Sequence, residues 1–175
     1  PAENIIAEPS RKNTAACIAY IAFKLYKKDP EALMMAAPAD HLIMEKDEFA
    51  KTALKALDFV GSINALVTIG IKPTYPNTGY GYIQYETKEA APEIYQVKTF
   101  TEKPNQEIAK AFIASGDFLW NAGIFTWKVK NILTAFEKHL PEVYDVFAAE
   151  KDSFNTTTEK EAVERIYPQC TNISI

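Results

Sequence analysis

A cationic surplus, a long apolar run and a cysteine framework are all missing from this sequence, and each absence narrows what it can be. Lysine and arginine number 19 against 23 aspartates and glutamates, for a net charge of −4. Nucleic-acid binders carry a basic excess to neutralise phosphates, so no nucleic-acid partner is expected. No segment approaches the roughly 18 consecutive apolar residues that cross a bilayer, and no membrane partner is expected either. A cationic stretch leading into an apolar core, the mark of an export signal, is also lacking. The two cysteines, Cys17 and Cys170, lie far apart and make no disulfide framework, which points to a reducing cytoplasm. Glycine is scarce: there are 6 in 175 residues and none before Gly61. No repeat, low-complexity tract or domain-scale linker interrupts the chain.

What is present suits one domain, or one large piece of one. A content of 47% hydrophobic and 12% aromatic residues supplies a real core. The chain opens on Pro1 and closes on the β-like Asn172-Ile173-Ser174-Ile175. Natural termini more often fray in polar residues, so a fragment is expected, incomplete at both ends.

Along the chain, Asn4 to Ala7 reads as a short buried strand and Glu8 to Lys12 as a loop. Asn13 is placed to cap a helix whose stripe is Ile18, Ile21, Ala22 and Leu25. Ala32 to Ala37 and Ala65 to Ile71 are continuous apolar runs, the pattern of strands covered on both faces. Between them a helix from about Glu48 carries Phe49, Ala53, Ala56, Leu57 and Val60 on one side. Strand, helix, strand, helix, strand is the order of a parallel sheet with crossover helices. After the loop from Lys72 to Gly79 the rhythm changes. Tyr80 to Thr87 and Ile94 to Phe100 read as strands, followed by a short helix with Ile108, Ala111 and Phe112 inward and Gly116 just past its end. Phe118 to Trp127 is an aromatic strand. A helix through Leu133, Phe136, Leu140 and Val143 should bend near Pro141. Thr158 and Glu161 match the capping box of a last helix.

Ligands of open parallel sheets bind beyond the carboxyl ends of strands, so polar residues there are the first candidates. Four clusters qualify. Pro38-Ala39-Asp40-His41 follows a strand, and its carboxylate suits Mg²⁺, which takes one or two carboxylates plus phosphate oxygens. Asp40 serves equally well as a cap of the next turn, and His41 reads as structural. Thr78-Gly79-Tyr80-Gly81-Tyr82 lets backbone approach a ligand closely, although glycine at such a junction is more often plain turn geometry. Phe100-Thr101-Glu102-Lys103-Pro104 sets a hydroxyl acceptor beside an ammonium that can pair with phosphate; alone, such a dipeptide is usually a solvated charge pair. Trp120-Asn121-Ala122-Gly123 puts an amide, both donor and acceptor, among aromatic rings, where a backbone-satisfied buried amide is the plain alternative.

Taken in order, these segments resemble the mannose-1-phosphate guanylyltransferases of the sugar-nucleotidyltransferase superfamily. Glu8-Pro9-Ser10-Arg11-Lys12-Asn13-Thr14-Ala15 and Gly70 to Ile83 carry the likeness with the Asp40, Lys103 and Asn121 clusters, across about residues 5 to 175. The resemblance implies an α/β, Rossmann-like mixed and mainly parallel sheet flanked by helices, with residues 1–175 a partial catalytic domain. It implies GMP transfer from GTP to mannose 1-phosphate, giving GDP-mannose and pyrophosphate. By motif position Asp40 is the Mg²⁺ ligand, and Asp40 and Lys103 act on the reacting phosphates. Glu8, Arg11, Asn13 and Thr14 line the guanosine. Gly79, Tyr80, Glu102, Lys103 and Asn121 contact the sugar or its phosphate. A homodimer is an assembly the resemblance allows. The family's Gly-rich, Arg-bearing phosphate loop and its second metal-binding aspartate have no counterpart in this sequence. The expectation is therefore a chain inactive by itself, with a non-catalytic sugar-nucleotide-binding regulator as the alternative. Ala39 and Ala122 for the usual Ser, and Thr101 for the usual Val, are volume-tolerant departures.

Overall fold

The computed structural model describes residues 4–175. In chain order they form α1 (Asn13–Lys28), β1 (Leu33–Ala36), α2 (Lys46–Ser62), β2 (Leu66–Ile71), β3 (Gly81–Ala91) and β4 (Ile94–Glu102). Then follow α3 (Gln106–Ser115), β5 (Phe118–Lys128), α4 (Val129–His139), α5 (Pro141–Ala148), α6 (Glu159–Ile166) and a 3₁₀ turn at Tyr167–Gln169. The strands make one mixed-class α/β sheet in the order β1-β5-β3-β4, with β2 also paired to β5. The registers described for β3 with β4 and for β3 with β5 are both antiparallel. The β3–β4 hairpin turns on Pro92 and Glu93: proline fixes one central residue, and Glu93 takes the left-handed place at φ 60°.

Two sequence expectations fail in the strands. Asn4 to Ala7 forms no strand, and Ile5 is 79% exposed. The runs at β1 and β2 do form strands, yet Leu33, Leu66 and Ile71 stay largely open rather than covered. An apolar run fixes β-propensity, but only neighbours in space decide what covers it.

The contacts divide the chain into two compact units. Unit one comprises residues 4–36, Leu42–Val67 and Thr126–Ile175. Its centre is aromatic: Tyr20 and Phe23 from α1 meet Phe147 of α5, with Phe154 and Tyr167 closing the ring cluster. The buried face of α1 is Ala15, Ala16, Ile18, Ala19, Tyr20, Ala22 and Phe23, so Ile18 and Ala22 of the expected stripe are buried while Ile21 and Leu25 are half-buried. Four alanines permit close approach, and the two rings then fill the space. Pro141 does more than bend one helix, because it starts a separate one at its first position, where its missing N–H is harmless.

The expected capping box at Thr158 is not formed. Thr158 makes no side-chain cap bond, and its hydroxyl lies 2.9 Å from that of Thr156. Glu159 instead reaches back to accept from the Asn155 N–H, the Tyr20 hydroxyl and the Lys24 ammonium. Burial alone would push the Glu159 carboxyl up, but Lys24, Tyr20 and Asn155 together hold it below its ordinary value. A carboxyl lowered on folding adds stability above its unfolded value, about 4.3, and loses it as pH falls through the folded one. Urea midpoints should therefore drop on acidification from about pH 5 to pH 3, with a shallower slope in Glu159→Gln. Equal slopes would show that this cluster does not drive the acid sensitivity.

Unit two comprises Ala37–His41 and Thr68–Phe125. Its core is Tyr82, Ala109, Phe118 and Trp120, with Phe112 stacked on Phe118 at 3.9 Å between ring centres. Asn105 caps α3 by accepting from the Ile108 N–H at 2.9 Å, and Gly116 ends it at φ 79°. Ile108 is exposed rather than inward; Ala109 takes its place on the packed face.

Candidate sugar-phosphate site

All four polar clusters fall within unit two, and strand register brings three of them together, the Asn121 cluster from inside β5. Gly81 pairs with Glu102 across β3 and β4, while Tyr82 lies opposite Thr101 on one side and Trp120 on the other. Tyr80, Lys103 and Asn121 follow directly from those pairs. The Lys103 N–H donates to the Tyr80 carbonyl at 3.2 Å, and Lys103 itself is left-handed at φ 45°. The Lys103 ammonium sits 3.5 Å from the Glu102 carboxylate, with both side chains more than half exposed. So exposed an ion pair contributes little stability, which leaves both groups available to a ligand.

Gly81 is small because Glu102 lies across it. A Cβ there would come within 2.6 Å of Glu102 Oε2 and 3.0 Å of Phe100 Cζ. Asn121 is half-buried, and its Oδ1 accepts from the Thr68 hydroxyl at 2.9 Å and the Gly123 N–H at 3.1 Å. Those bonds fix the amide and leave its Nδ2 as the donor face. Trp120 is 8% exposed, and the rings of Tyr75 and Tyr80 meet it edge-on at 5.2 and 5.1 Å.

Asp40 is exposed on the short segment Ala37–His41. Pro38 of that segment would stand 3.4 Å from a Cβ at Gly123, which is left-handed at φ 69°. The Asp40 segment therefore runs beside the Asn121 cluster. Asp40 has no ion-pair partner among the described residues, and no group of three or more metal-binding side chains occurs there.

Gly79 is held from within its own loop. Its N–H, the donor imagined for a ligand, is already bound to Asn77 Oδ1 at 2.7 Å. Asn77 and Thr68 both went unread as site residues. An Asn two positions before glycine is the side-chain turn pattern that would have flagged the first; nothing local flags the second.

Glu8, Arg11, Asn13 and Thr14 lie in unit one, on the approach to α1 and in its first turn. Each of three already has a partner inside the chain. Glu8 accepts from the Tyr167 hydroxyl, Asn13 Oδ1 from the Thr14 N–H at 2.9 Å, and Thr14 Oγ1 from the Ile175 N–H at 3.0 Å. Asn13 thus satisfies one helix amide, but its nearest neighbour's, from a left-handed backbone at φ 65°. Partial burial, and then the Glu8 carboxylate, push the Cys17 thiol up. Two open cavities of about 520 and 490 Å³ also lie in unit one, and Glu8 lines the second. No helix among the described residues is long and apolar enough to cross a membrane.

Known proteins resemble the chain in sequence and in fold. A mannose-1-phosphate guanylyltransferase from Escherichia coli K12 is 39% identical over 148 residues, which is 82% of this chain and 31% of that protein. The chain therefore spans about a third of the length of that curated relative. A mannose-1-phosphate geranyltransferase from Thermus thermophilus superposes with a TM-score of 0.84 at 25% identity, over 97% of this chain and 47% of the other. A mannose-6-phosphate isomerase from Helicobacter pylori superposes with a TM-score of 0.76 at 28% identity, over 96% of this chain and 64% of the other. The nucleotidyl transferase family matches residues 1–161, nearly the whole chain, and the chain belongs to that family.

Proposed function

We propose that the protein transfers GMP from GTP to α-D-mannose 1-phosphate, forming GDP-mannose and releasing pyrophosphate. The observation that carries this reading is the convergence of Tyr80, Glu102 and Lys103, at the paired ends of β3 and β4, with Asn121 of the adjacent β5. An amide donor, a carboxylate acceptor and an ammonium are what a hexose phosphate needs: two groups for hydroxyls, one for the phosphate.

A sugar-phosphate oxygen attacks the α-phosphorus of GTP in line. A P–O bond forms there as the bond to the β-phosphate oxygen breaks, and the electron pair leaves on pyrophosphate. Since the nucleophile is already an anion, no general base is required. The barrier lies in bringing two polyanions together, so Lys103 works by neutralising and holding the sugar phosphate. Asp40, an exposed carboxylate without a protein cation, fits the one-carboxylate requirement of Mg²⁺, the remaining ligands being phosphate oxygens and water. When bound, the ion supplies charge neutralisation at the phosphates. Glu8, Arg11, Asn13 and Thr14 form the guanosine wall in this reading, Arg11 through its exposed guanidinium.

Pyrophosphate release by the full-length protein, given GTP, Mg²⁺ and mannose 1-phosphate, tests the proposal. Saturable turnover with this pair supports it; binding of the sugar nucleotide without turnover overturns transfer as the activity. A structural check runs alongside. Gly81→Ala should cost less than about 1 kcal/mol, because both clashing atoms are the free ends of side chains. It should nevertheless weaken mannose 1-phosphate binding about tenfold by displacing Glu102. Melting curves and titration calorimetry separate the two effects, and unchanged affinity would remove Glu102 from the sugar site.

A further inference from the structure

Asn77 bonds through every polar group it has, to its own loop and to the strand that follows. Its N–H donates to the Tyr75 carbonyl at 2.9 Å, and its carbonyl accepts from the Tyr82 hydroxyl at 2.9 Å. On the side chain, Oδ1 accepts from the Gly79 N–H at 2.7 Å while Nδ2 donates to the Tyr75 hydroxyl at 2.9 Å. Tyr82 is wholly buried, so that bond ties the loop to the core of unit two. The ties leave open the two rings beside the core. Tyr75 is 52% and Tyr80 45% exposed, and both stand edge-on to the buried Trp120, whose indole N–H has no partner.

Holding a half-exposed tyrosine by its hydroxyl does little for a core. It does fix an aromatic wall next to the Asn121 amide and the Lys103 ammonium. A pyranose presents apolar C–H faces together with a hydroxyl rim, and a ring beside an amide matches both. We propose that Asn77 is a positioning residue of the hexose 1-phosphate subsite, and that Tyr75, which it holds, is an added wall against the sugar ring. This rests on the reading of the site given above. The Gly79 amide, bound to Asn77, then serves to shape the loop and makes no ligand contact.

The test is steady-state kinetics of the full-length protein with mannose 1-phosphate varied at saturating GTP. Asn77→Ala should raise KM for the sugar phosphate about tenfold, with kcat within about twofold and KM for GTP unchanged. Asn77→Asp should restore KM to within about threefold, since a carboxylate accepts from both the Gly79 N–H and the Tyr75 hydroxyl. Tyr75→Ala, which leaves the backbone ties of the loop intact, should raise KM as Asn77→Ala does. A purely structural role would instead lower kcat and melting temperature together at constant KM, and that outcome overturns the proposal. So does a KM within about twofold of wild type in both variants. If the unmodified protein neither binds nor turns over mannose 1-phosphate, the functional reading itself falls first and takes this inference with it.

Discussion

Asp40→Asn should lower Mg²⁺-dependent pyrophosphate release by the full-length protein about 10²–10³-fold, the scale of one lost charge-stabilising contact in the transition state. The substitution conserves size and hydrogen-bonding reach while removing the charge. Asp40 is exposed, and no ion pair within the described residues depends on it, so nothing in the fold needs its carboxylate. Melting temperature and circular dichroism should therefore match the unmodified protein. Raising Mg²⁺ should recover part of the loss, because the defect is one of metal retention and charge rather than of folding. Activity within about threefold of wild type, at ordinary Mg²⁺, would show that the metal is held elsewhere.

Phe147→Ala should cost about 3–5 kcal/mol, read as a shift in urea unfolding free energy. Phe147 is 0% exposed, and four rings surround it: Tyr20 at 6.2 Å, Phe23 at 6.1 Å, Phe154 at 6.4 Å and Tyr167 at 5.9 Å. Deleting one ring from a cluster of five leaves a cavity that the others cannot close without leaving their own packing. Tyr20 and Tyr167 are also anchored by their hydroxyls to Glu159 and Glu8, which restrains their collapse. A loss under about 1 kcal/mol would mean that the cluster repacks freely and is not the organising centre of unit one. Since Glu8 is held by Tyr167, the same variant should loosen the segment before α1.

Much of this was legible in the sequence because it is local. Gly116 ends α3 in the left-handed conformation that glycine adopts without penalty, and the polar turn before Ile94 makes the hairpin. The helical spacing of Leu133 and Phe136 foretells their shared burial on α4, whereas Leu140 is half-buried and Val143 is buried from the separate α5. The four polar clusters singled out in the sequence all fall in unit two, although Gly79 and Tyr80 precede β3 and Asn121 stands inside β5. What was misread depended on partners distant in sequence. Ile5 and Ile6 have the composition of a strand, but strand formation requires a pairing neighbour. Thr158 and Glu161 have the spacing of a capping box, but Glu159 bonds across the sequence to Lys24 and Tyr20. Ile18 and Ala22 of the expected α1 stripe are buried, but Ile21 and Leu25 give way to Ala15, Ala19 and Phe23 on the packed face. Thr68 holds the Asn121 amide from 53 residues away, a contact that no local pattern encodes.

The convergence of the unit-two clusters on one ligand can be tested without turnover. Amide shifts of the ¹⁵N-labelled 175-residue chain would be followed while mannose 1-phosphate is titrated with Mg²⁺ present. Perturbations confined to residues 38–41, 75–82, 101–103 and 120–123 are expected, saturating together with a single dissociation constant. Shifts concentrated around α1 and α6, or separate saturation of the Asp40 and Lys103 segments, would contradict a common sugar-phosphate site.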